Sequence, residues 1–174
     1  IVVLTFGNLR GVKEAGKAFA MPTYFFISCM FIVFSIGIYR NFTGTLETLP
    51  TDQVGAVPLG EGQGLLTFAA IFILLRAFAN GGSSLTGLEA ISDGVALFQQ
   101  PEHVNARRTL FIMSGLLGSL VLGVSWFAHR IYAMPYESGT PTVISQIAKT
   151  IVGDGVFGQI MFVMVQAATM LILF

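Results

Sequence analysis

Apolar runs long enough to cross a membrane alternate with short polar segments along this 174-residue chain. A helix needs about 20 mostly apolar residues to span a hydrocarbon core about 30 Å thick. "AFAMPTYFFISCMFIVFSIGIY", residues 18–39, meets that length, as does "LFIMSGLLGSLVLGVSWFAHRIY", residues 110–132. Residues 156–174 form a further candidate span, and "IVVLTF", residues 1–6, reads as the tail of another. Pro22 falls in the first turn or two of the 18–39 span, where a missing N–H costs least. Gly115, Ser119 and Gly123 recur every fourth residue, a ladder of small residues that lets a neighbouring helix approach closely.

Residues 64–98 break the pattern. The run is too long for one span even when tilted. It also carries Arg76, Asn80, Gly81, Gly82, Ser83, Ser84, Thr86, Glu89 and Asp93. This predicts two half-helices joined by an unwound segment near the membrane midplane, with the helical ladder failing between Ala79 and Thr86. Irregular backbone at that depth survives only where it is buried in protein or lines a cavity.

Composition sharpens this picture. The chain is 54% hydrophobic and only 10% charged, with a mean hydropathy of +0.78. An average soluble domain is roughly 25% charged, so the chain reads as an all-α membrane protein that crosses the bilayer several times. The formal net charge is zero and no basic run occurs, which leaves no support for a nucleic-acid partner; membrane lipid is the expected surrounding. The single cysteine, Cys29, lies within an apolar run and reads as a packed thiol. Both ends stop inside apolar sequence, so we expect an internal piece of a longer membrane protein.

Charge between the spans sets orientation. "GNLRGVKEAGK" carries Arg10, Lys13 and Lys17, and "QQPEHVNARRT" carries Arg107 and Arg108. The two alternate loops carry Arg40 with Glu47, Asp52 and Glu61, and Arg130 with Lys149. The bias of five basic residues against three puts the first pair of loops in the cytoplasm. Within the last loop, Val143, Ile144, Ile147, Ile151 and Val152 make a helical stripe, expected to lie along the outer surface.

The candidate site centres on Gly81 and Gly82, which lower the cost of leaving helical geometry. A break there frees carbonyls at residues 77–80 and N–H groups at residues 84–87. Free carbonyls favour a cation, whereas a helix N-terminus favours an anion or a carboxyl group. Hydroxyls of Ser83, Ser84 and Thr86 add oxygen ligands suited to a hard cation. Thr86, Glu89 and Asp93 stand at i, i+3 and i+7 and so share a helical face. An intramembrane carboxylate is costly and usually faces a water-filled path or a binding site. Plainer readings stand beside these. "TGLE" has the form of a capping box, Asp93 reads as solvated or paired, and Arg76 as a structural ion-pair partner or a gate. The Gly and Ser residues also suit helix packing, and His129 suits a membrane interface.

"NLRGVKEAGKAFAMPTYFFI", "LRAFANGGSSLTGLEAISDGV" and "PEHVNARRTL" resemble the amino acid–polyamine–organocation (APC) superfamily. Within it the chain is most similar to the bacterial KUP/KimA-like branch of potassium–proton symporters. The resemblance implies a LeuT-type transporter fold of 5+5 inverted repeats. This chain would then hold the end of helix 4 through helix 8, with helix 6 broken. It also implies that Thr86 is a potassium ligand and Glu89 belongs to the ion site and its proton coupling. Asn80, Gly81, Gly82, Ser83 and Ser84 would complete the site; the Gly82–Ser83 stretch departs from the family's small-residue run.

The expected function is therefore proton-coupled uptake of potassium across the cell membrane by alternating access. The alternative is an amino-acid or polyamine permease of the same superfamily. A resident cofactor is not expected; potassium and protons are cargo, and a homodimer is an expected assembly. A membrane enzyme is disfavoured because His103 and His129 fall in no metal or triad spacing. The orientation is directly testable. Cysteines placed at Ala15 and Asn105 should label only from the cytoplasmic side, and cysteines at Thr48 and Gly139 only from outside. Labelling of Ala15 and Thr48 from one side would remove the span between them.

Overall fold

In the computed structural model, residues 12–52, 55, 68–83, 86–136 and 138–173 are described. Their regular elements are helices: α1 (Val12–Phe42), α2 (Phe68–Ser83), α3 (Thr86–Asp93), α4 (Glu102–Ile131), α5 (Val143–Val152) and α6 (Val156–Leu173). A short 3₁₀ turn, Val95–Leu97, follows α3. Among the described residues, three helices are long and apolar enough to cross a membrane, over Ala20–Phe42, Glu102–Ile131 and Val156–Leu173. The tail expected at residues 1–6 lies outside the described residues.

Two boundaries differ from the sequence expectation, for one reason. The stretch around Lys13 and Lys17 is helical from Val12, and the stretch around Arg107 and Arg108 is helical from Glu102. Lys, Glu, Ala and Arg are strong helix formers, so each helix continues beyond its apolar run. At 31 and 30 residues, α1 and α4 are about 45 Å long, well over the hydrocarbon thickness. Pro22 therefore sits inside α1 rather than in its first turns, where it removes one ladder hydrogen bond.

The chain divides into two compact units, Ile1–Val57 with Gly123–Phe174, and Pro58–Leu122. In the first unit, α5 and α6 pack against α1 and against each other. The core is a set of helical stripes: Cys29, Met30, Val33 and Phe34 from α1; Ile147, Ala148 and Ile151 from α5; and Met161, Val165 and Ala168 from α6. The C-terminal end of α4 joins through Phe127 and Ile131. Phe34 and Phe127 stack with centroids 5.4 Å apart, a geometry worth about 0.5–1.5 kcal/mol beyond buried area. Glycines make that approach feasible: a Cβ on Gly37 would meet the Phe127 ring, and one on Gly123 the Phe34 ring. Of the small-residue ladder, Gly123 makes such a contact, while a Cβ on Gly115 would meet open space.

The stripe at residues 143–152 forms a helix as expected, and one face of it packs against protein. Gln146, Ile147, Ala148 and Ile151 are buried. Polar bonds pin both ends of α5. Thr142 caps its N-terminus, accepting from Ser145 N at 3.2 Å. Gly153 closes its C-terminus at φ 76°, a left-handed conformation that glycine adopts without a Cβ clash. Arg40 reaches across from α1, donating to the carbonyls of Thr150 (3.2 Å) and Ile151 (2.8 Å) and to Thr45 O (3.0 Å). A guanidinium suits this place, since it satisfies terminal carbonyls and meets the negative end of the helix dipole.

After α4 the chain turns back. Ala133 N donates to Ala128 O at 2.9 Å, and Tyr132 stands at φ 58°, the pattern of a left-handed helix stop made here without glycine. Gln146 then anchors the returning strand of chain. Its Nε2 donates to Met134 O (2.7 Å) and Pro141 O (3.1 Å), and its Oε1 accepts from Met134 N at 3.3 Å. Gln146→Leu keeps the apolar contacts but leaves the buried Met134 N–H and C=O unpaired, at about 1–3 kcal/mol for each such group. A lowered melting temperature of the detergent-solubilised full-length protein is expected; an unchanged one would show that the clamp does not matter.

Candidate functional site

The second unit holds every residue of the expected site. The 64–98 region appears as α2, 16 residues, and α3, 8 residues. At about 1.5 Å per residue the described parts of these helices are roughly 24 Å and 12 Å long.

The paired glycines are not where the chain unwinds. The backbone stays helical through Gly81, Gly82 and Ser83 and is helical again from Thr86. No failure of the ladder is seen from Ala79 to Ser83, and the rest of the expected stretch, Ser84 and Leu85, lies outside the described residues. The carbonyls of residues 77–79, expected to be freed, stand inside α2. Magnitudes account for the shift. A glycine lowers helix stability by about 1 kcal/mol relative to alanine, whereas an unsatisfied backbone group in hydrocarbon costs several. Two glycines weaken the helix without ending it.

The remaining residues are placed as follows. Arg76 lies mid-way along α2, and Asn80, Gly81 and Gly82 fall in its last turns, all exposed. Ser83 closes α2. Thr86 opens α3 and Glu89 stands in its first turn, both exposed. That position suits a carboxylate whether it caps the helix or faces an ion path, because the first turn presents unpaired N–H groups. Asp93 is the last residue of α3 and is exposed. Over these eight residues Thr86, Glu89 and Asp93 keep to one face.

The apolar residues around the site are exposed as well. Phe72, Leu74, Leu75 and Phe78 of α2 are 59%, 66%, 59% and 80% accessible. A stretch this apolar faces either lipid or further protein. Among the described residues no group of three His, Cys, Asp or Glu could hold a metal ion.

Two polar roles escaped the sequence reading, both in the other unit: Arg40 as the cap of α5 and Gln146 as the clamp on Met134. Arg40 looked like an ordinary loop charge. Its available signal was position, at the end of an apolar span where a basic side chain meets carbonyl ends.

No family model matches the chain. Over 173 residues, 99% of its length, the chain is 34% identical to the potassium transporter KimA of Bacillus subtilis (strain 168). It covers 26% of that protein, so the chain spans about a quarter of the length of the potassium transporter it is similar to.

Proposed function

We propose that this chain is part of a secondary transporter that takes up potassium together with protons by alternating access across the cell membrane. The observation that carries the reading is the 34% identity to a potassium transporter over nearly the whole chain. That relative's cargo favours a cation over an amino acid or polyamine, and a carrier over an enzyme. In a LeuT-type arrangement α1 would be helix 5, α2 and α3 the two halves of helix 6, α4 helix 7 and α6 helix 8.

The roles follow from chemistry. Potassium is held by replacing its water shell with oxygen ligands, here the Thr86 hydroxyl, hydroxyls of Ser83 and Ser84, and carbonyls at the junction of the two half-helices. Gly81 and Gly82 present bare backbone, so another helix or the ion can approach beside Asn80. Glu89, one turn beyond Thr86 on the same face, exchanges a proton or holds the gate. In a symporter both cargoes are loaded before the carrier reorients: ionised Glu89 resists reorientation, its protonation with potassium held on the neighbouring oxygens permits it, and this linkage couples the two cargoes. Arg76 gates or braces the first half-helix, and Asp93 sits toward the cytoplasmic end.

The test uses the full-length protein in proteoliposomes under an imposed pH gradient, with expression and orientation matched. Glu89→Gln preserves size and hydrogen bonding but cannot titrate. Gradient-driven potassium accumulation should fall by roughly 5–150-fold, the range of a coupling free energy of 1–3 kcal/mol. Thr86→Val should instead weaken potassium affinity by about ten-fold, the cost of about one oxygen contact, and leave proton dependence in the residual uptake. If Glu89→Gln accumulates the ion as the parent does, Glu89 is a helix cap and not the coupling group.

A further inference from the structure

Helix α4 carries no charged residue between Arg108 and His129. That apolar stretch of about 20 residues matches the roughly 30 Å of a hydrocarbon core. Arg107 and Arg108 therefore stand at the level of lipid phosphates at one end of the span. The helix face beneath them is distinctive. His103, Val104, Arg107, Arg108, Phe111 and Ile112 line a surface groove of about 500 Å³. Their spacing, pairs repeating every four residues, puts them on a single stripe two residues wide. Arg107 and Arg108 are exposed, and Phe111 and Ile112 one turn deeper are 81% and 59% accessible.

We infer that this groove binds an anionic phospholipid, the phosphate at Arg107 and Arg108 and the first part of an acyl chain along Phe111 and Ile112. Charge complementarity selects the headgroup. Guanidinium groups make paired hydrogen bonds to phosphate oxygens, and each basic residue at a membrane surface adds to attraction for anionic lipid. Depth selects a lipid over a soluble anion. Rise along the helix places the apolar pair about 6 Å below the arginines, where acyl carbons begin beneath a phosphate. A soluble phosphate would gain nothing from Phe111. The site depends on α4 spanning the bilayer and is independent of the cargo and of Glu89.

The experiment places an environment-sensitive fluorophore at Ile112→Cys in an otherwise cysteine-free full-length protein reconstituted in vesicles. Quenching by spin-labelled phosphatidylglycerol is compared with quenching by spin-labelled phosphatidylcholine. The parent should prefer phosphatidylglycerol by roughly five-fold per arginine, about 25-fold for the pair. Arg107→Gln/Arg108→Gln should bring the two lipids level, and Arg107→Lys/Arg108→Lys, which keeps the charge, should retain most of the preference. Equal quenching in the parent, no quenching by either lipid because protein covers the groove, or an unchanged preference in the Gln pair would each overturn the site.

Discussion

An unpaired peptide group costs several kcal/mol in hydrocarbon, and most features of this chain follow from that constraint. It makes the long apolar runs among the described residues helices. It also carries the backbone through Gly81 and Gly82, although glycine is a poor helix former. The same accounting applies where helices end. The carbonyls closing α5 meet Arg40, the N–H groups opening it meet Thr142, and the turn after α4 is held by Gln146. These polar contacts bring α1, α4, α5 and α6 to a common place, and the apolar stripes then pack.

Packing among those helices relies on close approach more than on hydrophobicity, because lipid tails are as apolar as leucine. Gly37 and Gly123 open room for the Phe127 and Phe34 rings. Gly158 does so at the start of α6, where a Cβ would meet the carbonyl oxygens of Val152 and Gly153. The joint between α5 and α6 is therefore backbone against backbone. Such a joint is sensitive to a single methyl group and transmits a displacement of either helix directly to the other.

Much of the architecture was legible in the sequence, because a 20-residue apolar run has one physical solution in a bilayer. The runs at 18–39, 110–132 and 156–174 each coincide with a helix that can span. Their ends were misjudged at Val12 and Glu102, since hydropathy marks where lipid stops and not where helix stops. The stripe at 143–152 revealed its period but not its partner. A lipid-facing stripe and a protein-facing stripe look alike when both are built from Ile and Val. Gln146 distinguishes them, because a buried amide needs partners that lipid lacks. The candidate site was drawn from the excess length at 64–98 and the polar residues within it. The helical path through Gly81 and Gly82 was not legible, because propensity and desolvation pull in opposite directions there.

The contrast between the two units bears on how such a transporter would work. One is cross-braced by Arg40, Gln146 and the Phe34–Phe127 stack. The other has α2 exposed along its described faces, with its polar residues at the far end and in α3. Alternating access requires one part to stay rigid while another rearranges. Interlocked rings and a guanidinium bonded to three carbonyls resist sliding, since each contact is lost abruptly over about an ångström. A helix already weakened by two glycines can bend or shift at smaller cost. Thr86 and Glu89 stand just beyond that weak point, so a movement there changes the surroundings of both side chains together.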